Sequence, residues 1–423
     1  MPVKNIIILG AGPCGLATAM ALAKQSTAAS PLRIKLIEIR PELATIGGTL
    51  NVTPLCLRYL DYLGVGDRLR AGGISLDSGL DCVSMRTGRR IGNIWGGIGG
   101  IRSVRHSLVE TLLQTVVEDY GNLIEIHWGA RVADIFESEV EDVVKVKFQD
   151  GSELTADILV GADGLHSTAR RMHVEPERQD SFTGRVITMG FHEPDSEGKK
   201  QKQALTLADS TPLLRDTAVI TTREGMLLAS YYEPSRTKTY FAHISHAEEP
   251  QGDARDGWRV LGSDQARVKR EIVEAYRQGS IKGLPEVLAQ CDDWHLYPVY
   301  MLPGGGKWFR GRVIILGDAA HAMPPQGEST GIAIEDGVLL AHVFSRRETR
   351  SVSQLFADYE ALRRPVIDKH FEDSVWAMKH GFAKRSWLGA ILMEWAMWVY
   401  LSLRRWSQES HFAGDVRELE LPA

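Results

Sequence analysis

The chain has 423 residues, of which 43% are hydrophobic and 24% charged, with a formal net charge of -5. That length buries a large core and suits two or three domains, and the even composition excludes a fibrous, low-complexity or disordered chain. The weak negative balance gives no reason to expect a nucleic-acid partner.

The first forty residues read as strand, glycine turn, helix, strand and acid. Lys4 to Leu9 is a short apolar run rich in Ile, as suits a strand buried on both faces. It enters Gly10-Ala11-Gly12-Pro13-Cys14-Gly15, and apolar residues at helical spacing follow. A second strand, Ile34 to Ile39, carries Glu38 near its end, with Arg40 just beyond. In such a turn Gly10 permits the bend, Gly12 lets backbone approach a pyrophosphate, and Gly15 lets helix pack on strand. The phosphates would face the positive helix end, and Glu38 would accept from ribose hydroxyls. The fingerprint points to a dinucleotide without saying which one.

Further along, a turn is expected at Ile46 to Thr49 and a helix within Asn51 to Gly64, with Leu55, Leu57, Leu60 and Leu63 on its face. Leu80 to Trp95 reads as a hairpin, and Gly96 to Gly100 as a connection. Arg105 opens a new helix, either as a solvated first-turn arginine or as a clamp on a diphosphate. Strands are expected at Ile124–His127, Arg131–Phe136 and Val143–Phe148. A second buried strand, Asp157 to Gly164, ends in glycines around Asp163. From about Phe182 the pattern becomes a run of strand candidates: Arg185–Phe191, Gln203–Ala208, Ala218–Thr222, Met226–Tyr232 and Thr239–Ile244. Polar turns such as Ser196 to Gln203 join them, which predicts an antiparallel sheet able to wall a pocket. Gln251 to Asp256 reads as a polar loop, Ala266 to Gln278 as a helix and Trp294 to Tyr300 as a strand. A third β-run, Arg312 to Leu316, enters Gly317-Asp318-Ala319-Ala320-His321-Ala322-Met323-Pro324-Pro325, and a helix follows over Ile332 to Phe344. Gly327 and Gly331 mark tight backbone near its start. The tail from Trp387 to Leu403 is almost wholly apolar with Glu394 at its centre. A helix packed on the body is the favoured reading, with a membrane-surface helix the alternative.

Three motifs, GAGPCG with Glu38, VGADG at Val160 to Gly164 and GDAAHAMPP at Gly317 to Pro325, stand in the order seen in class A flavoprotein monooxygenases. The chain resembles the aromatic hydroxylases of that family, typified by para-hydroxybenzoate and salicylate hydroxylase. The resemblance implies an α/β fold: a Rossmann-like FAD-binding domain, a second antiparallel-sheet substrate domain and a C-terminal helical segment. The expected division gives residues 1–79, 97–180 and 295–345 to the FAD-binding domain. Residues 80–96 and 181–294 fall to the substrate sheet, and 346–423 to the C-terminal helices.

By the same resemblance, Gly10, Gly12 and Gly15 meet the FAD pyrophosphate and Glu38 its adenosine ribose, with Arg40 beside it. Gly48 lines the adenine or ribityl path, Arg105 approaches the phosphates or ribityl chain, Asp318 binds the ribityl side, and Asp163 contacts FAD and NAD(P)H. Gly327 and Gly331 lie near the flavin ring. The implied reaction uses NAD(P)H and O2 to place one oxygen on an electron-rich aromatic or secondary-metabolite substrate, by hydroxylation or epoxidation. Other flavoenzymes of the fold and a non-catalytic flavin-binding protein are the alternatives. The lack of a close cysteine pair among Cys14, Cys56, Cys82 and Cys291 speaks against a flavin disulfide reductase. No metal is expected. Reduced cysteines and an immediate first strand suit a cytoplasmic monomer or homodimer. An arginine common early in the family's substrate sheet is missing, leaving Arg185, Tyr231, Tyr232 and His243 as candidates to orient or ionise a substrate.

Overall fold

The computed structural model describes residues 3–45, 47–97, 99–138, 140–194, 204–251, 254–381, 383–404 and 411–423. Ile46 and the loop expected over 196–203 lie outside the described residues. The first part of the chain forms β1 (Asn5–Leu9), α1 (Pro13–Ala23), β2 (Arg33–Ile37), β3 (Thr49–Val52), α2 (Pro54–Leu63), α3 (Gly66–Gly72), β4 (Ile74–Ser75), β5 (Leu80–Ser84), β6 (Arg89–Ile94), β7 (Ile101–Val104) and α4 (Arg105–Tyr120). Next come β8 (Ile124–His127), β9 (Val132–Ser138), β10 (Val143–Phe148), β11 (Glu153–Ala156), β12 (Ile158–Gly161), β13 (Ser181–His192), β14 (Thr217–Thr221), β15 (Met226–Tyr231) and β16 (Thr239–His246). The last part forms α5 (Ala254–Ser263), α6 (Gln265–Arg277), α7 (Leu284–Gln290), β17 (Asp292–Met301), β18 (Phe309–Arg310), β19 (Val313–Ile315), α8 (Asp318–His321), α9 (Ser329–Val343), α10 (Val352–Gly381) and α11 (Trp387–Arg404).

The larger core surrounds a six-stranded sheet in the order β18-β19-β12-β1-β2-β8. Every pair in it is parallel except β18 with β19. Ile6, Ile7 and Ile8 of β1 are buried because α1 and its neighbours cover both faces. Pro13 opens α1, where its missing N–H costs no hydrogen bond. Thr53 caps α2, its hydroxyl accepting from the Cys56 amide at 3.4 Å.

A seven-stranded sheet, in the order β17-β13-β16-β15-β14-β5-β6, forms the second layer. It is antiparallel except where β14 runs parallel to β5, which docks the early hairpin onto the later strands. Period-two alternation gives this sheet two faces. Phe241, Leu227 and Ala229 turn to the back, against Ile272 and Tyr276 of α6 and Leu288 of α7. Met189, Tyr240 and Ala242 turn to the front, together with Ile187, Phe191 and Leu228.

Two sequence expectations are corrected here. The strand predicted over Gln203–Ala208 amounts, in its described part, to isolated bridges from Thr206 to Pro212 and Lys282. A helix begins at Ala254, inside the expected loop, and α7 was not foreseen because seven residues show too little periodicity. The strands from β13 to β17 pair antiparallel as expected, and the early hairpin joins them through the parallel β14–β5 pair.

Candidate active site

Strands β19, β12 and β1 are adjacent and parallel, so their carboxyl ends lie side by side. Each of the three glycine motifs leaves one of those ends. The chain goes from β1 to β2 on one side and places β12 and β19 on the other, so a crevice opens where the order reverses. Gly10 has φ +101°, and a Cβ there would sit 2.5 Å from the Ala162 carbonyl oxygen. A Cβ on Gly15 would sit 1.9 Å from the Gly10 oxygen. The space in front of Gly12 is open, with nothing within 4 Å of where its Cβ would be. Gly10 and Gly15 therefore serve the protein's own packing, and Gly12 faces an empty cradle. Glu38 braces this turn: its Oε2 accepts from the Ala11 amide at 2.9 Å and its Oε1 from the Arg40 amide at 3.0 Å. The Arg40 side chain is exposed at the rim.

Asp163 ends the second motif. Its Oδ2 accepts from the Thr168 amide at 2.6 Å, while its buried Oδ1 has no partner among the described residues. Burial raises its pKa above the ordinary carboxylate value. Asp318 is exposed, yet desolvation raises its pKa too, against the pull of His321 and Arg105. Tyr297 of β17 is 47% exposed and is likewise raised by desolvation, with Asp318 and Arg105 acting on it. Asp318 and Arg105 thus stand close enough to Tyr297 for their charges to act on it, beside the hollow between the glycine turns and the front of the second sheet. The Arg105 amide donates to the Gly48 oxygen at 3.0 Å, and a Cβ on Gly48 would lie 2.0 Å from the Tyr240 ring. A cradle open at Gly12, an orphaned Asp163 oxygen and this hollow together fit an extended dinucleotide.

Behind the third motif lies a buried charge network. Asp336 Oδ2 accepts from the Gly317 amide and lies against His321 Nε2, both at 2.7 Å. Its Oδ1 accepts from Arg363 Nε at 2.7 Å. Arg363 also donates to Glu335 Oε2 at 2.6 Å and to the Ile332 carbonyl at 2.9 Å. Tyr59 donates to Glu335 Oε1 at 2.8 Å. Burial alone would raise the Asp336 pKa, but His321 and Arg363 outweigh it and hold it below the usual range. His321 is thereby a brace for the motif. Two buried arginines tie the second motif to the third: Arg170 donates to the Leu165 and Ala319 carbonyls, and Arg178 to that of Ala320.

The sequence candidates for substrate chemistry divide between the two faces of the second sheet. His243 is on the back face of the second sheet, its Nδ1 2.7 Å from the Tyr276 hydroxyl. A cavity of about 370 Å³ opens on that back side, bordered by Thr188, His243, Arg267 and Glu271, away from the glycine turns. Tyr231 packs into the same rear cluster. Tyr232 packs edge-on against Phe191, and its hydroxyl donates to Glu193. Arg185 shares the front alternation of β13 but donates to His246 Nδ1 and the Gly184 carbonyl. Gly331 turns toward Cys56, where it lets α9 pack on α2, and Gly327, with φ +85°, faces Asn51 and Trp95.

Burial lowers the His243 pKa from 6.5 to about 4. For a base held neutral by the fold, stability is complete above the unfolded value and is lost as pH falls toward the folded one. His243→Gln is therefore expected to flatten the loss of stability between pH 6.5 and about 4, with turnover unchanged. Urea midpoints across that range check this.

Residues that sequence reasoning did not select stand at the seam of the two layers. Arg102 on β7 is 1% exposed and has no carboxylate partner among the described residues. It donates to the Thr49 and Thr217 hydroxyls at 3.2 and 3.0 Å, its Nε has no described partner, and burial lowers its pKa to about 10. Asn51 lies directly opposite it on β3, its Oδ1 also without a described partner. Trp95, with φ +61°, lies beside Gly327. No spacing rule marks these three; only the pairing of β3 with β7 and the packing of the sheet bring them together.

Among known proteins, the model of the FAD binding domain family matches residues 4–374. Salicylate hydroxylase of Pseudomonas putida is 26% identical over 386 residues, covering 86% of this chain and 82% of that one. The 3-hydroxybenzoate 6-hydroxylase 1 of Aquipseudomonas alcaligenes is 26% identical over 423 residues, covering 94% and 97%. In fold, Klebsiella pneumoniae HpxO complexed with FAD and uric acid superposes with a TM-score of 0.74 at 21% identity, over 97% of this chain and 96% of that one. A salicylate hydroxylase substrate complex gives 0.75 at 19%, over 100% and 99%. With its three glycine turns meeting in one crevice, the chain belongs to the FAD binding domain family and is a class A FAD-dependent aromatic hydroxylase, a flavoprotein monooxygenase.

Proposed function

We propose that the crevice holds FAD with Gly10, Gly12 and Gly15 along its pyrophosphate, Glu38 at the adenosine ribose and Arg40 at the rim. Arg105, Asp318 and Gly48 flank the ribityl path, Asp163 caps the second turn behind it, and Gly327 lies near the ring. The observation that supports this reading is the meeting of three motif turns at adjacent strand ends, with Glu38 hydrogen-bonded to the first of them. The bound flavin would supply the redox and oxygen chemistry. The chain's own residues orient the ring, exclude water and hold the substrate. Met189, Ile187 and Tyr240 form an apolar front wall, and Tyr297 offers a phenol that desolvation keeps protonated. Protein purified with FAD should be yellow and should oxidise NADPH faster when a suitable phenol is present, with a hydroxylated product. A chain that takes up no flavin would overturn the assignment of the crevice.

The substrate we infer is a small aromatic ring bearing an acidic group. Arg102 supports this: a buried guanidinium without a carboxylate counter-ion is costly unless an anion completes it. Relatives named for salicylate and 3-hydroxybenzoate point to the same class. Losing a charge-assisted hydrogen bond costs about 1.5–3 kcal/mol, so Arg102→Met is expected to raise KM for a benzoate-type substrate roughly 10- to 150-fold. KM for an uncharged phenol should barely move. An equal rise for both would make Arg102 a seam residue only.

A further inference from the structure

Helix α11 has two unlike faces. Its inner stripe, Ala390, Glu394 and Leu401, is docked on the edge of the second sheet. Ala390 is 8% and Leu401 6% exposed, and Leu401 fills the space beside Gly92. Glu394 accepts from the Ser84 hydroxyl and from Arg86 Nη2, both at 2.6 Å. The carboxylate at the middle of this apolar helix is thereby turned into the protein. The outer stripe is the reverse: Leu388, Leu392, Trp395, Trp398, Tyr400 and Leu403 are each 53–74% exposed. Scattered exposed apolar residues need no explanation, but a continuous stripe of this size marks a contact surface.

No described helix is long and apolar enough to cross a membrane. We propose that the outer face of α11 lies in the surface of an anionic bilayer, parallel to it, with the rest of the protein in water. Two observations choose this occupant. Tryptophan and tyrosine, which prefer the boundary between headgroups and acyl chains, make up half of the outer stripe. Basic residues bracket the helix at both ends, Lys384 and Arg385 before it and Arg404 and Arg405 after it, and its only acid points inward. Lys384 also reaches Glu224 at 2.9 Å, and its side chain remains 72% exposed. A second copy seated on the same face would bring basic ends against basic ends whether the helices ran parallel or antiparallel. An anionic lipid surface is instead attracted by basic residues flanking the helix in sequence, strengthening binding by roughly fivefold per basic residue engaged.

The test uses full-length holoprotein and sedimenting vesicles of phosphatidylcholine, with or without about one-third phosphatidylglycerol, at low and high salt. The holoprotein is expected to pellet with anionic vesicles, at least tenfold more than with neutral ones, with a blue-shifted tryptophan emission and release by salt. The double variant Leu392→Glu/Trp395→Glu should stay in the supernatant, with its flavin spectrum and turnover unchanged. Failure to bind either vesicle overturns the proposal, and so does equal binding to both. A lipid-free dimer that the double variant dissolves would show instead that the face pairs two copies, and would overturn it as well.

Discussion

Arg363→Met is expected to destabilise the protein by roughly 3–5 kcal/mol, because it strands two buried carboxylates that the guanidinium now joins. Arg363 is 1% exposed and donates to Asp336, Glu335 and the Ile332 carbonyl. Methionine matches its length but leaves Asp336 with only His321 and the Gly317 amide, and Glu335 with only Tyr59, among the described residues. The sign of the pH dependence separates this from a simple packing defect. In the native protein Asp336 is held below the ordinary carboxylate pKa, so its contribution is present above the unfolded value and lost as the pH falls through the folded one. In the variant the orphaned carboxylates are pushed up instead, so the folded form binds more protons and the penalty eases as the pH falls. Denaturation midpoints at about pH 5 and about pH 8 should therefore show a larger deficit at the higher pH. A deficit independent of pH would mean that Arg363 acts through packing. FAD retention should fall in parallel, because the Gly317 amide is held by the same carboxylate.

The second large effect comes from setting two glycines of one turn against each other. Gly12→Ala is expected to leave the flavin-free protein as stable as before, or more stable by about 0.4–1 kcal/mol from lost unfolded-chain freedom. Its φ of -78° suits any residue, and a Cβ would meet nothing within 4 Å. If a pyrophosphate passes there, the same methyl group blocks it and FAD affinity drops by two orders of magnitude or more, roughly 3 kcal/mol. Gly15→Ala should do the opposite. Its Cβ would lie 1.9 Å from the Gly10 oxygen, so helix α1 must separate from the strand end and the flavin-free protein itself loses stability. Thermal melts of flavin-free protein, with fluorescence titration of FAD, distinguish the two. Normal FAD binding by the Gly12 variant would remove the pyrophosphate from that position.

Much of this site was legible because its signals are local. A buried Ile-rich strand followed by GxGxxG needs only neighbouring residues to be recognised, and the same holds for Val160–Gly164 and Gly317–Pro325. Their order along the chain, with the family resemblance, implied a shared ligand. The side-by-side strand ends that bring them together depend on long-range pairing of β1 with β12 and of β12 with β19. The substrate side was less legible. Alternation along β16 separates His243 from Tyr240 and Ala242 by face, yet the sequence does not say which face meets the flavin domain. Glu394 is the instructive intermediate case. Its charge correctly argued against a spanning helix, but its partners Ser84 and Arg86 lie some three hundred residues earlier.

One contact bears on when this part of the fold can close. The Val416 amide donates to the Tyr59 hydroxyl at 3.0 Å, across 357 positions, and Arg58 donates to the Phe412 carbonyl at 2.8 Å. Phe412 in turn packs edge-on against Trp95, which stands beside Gly327. The turn at Gly327 and helix α2 are thus closed from the far end of the chain, and these contacts form only after residues 411–416 have been made.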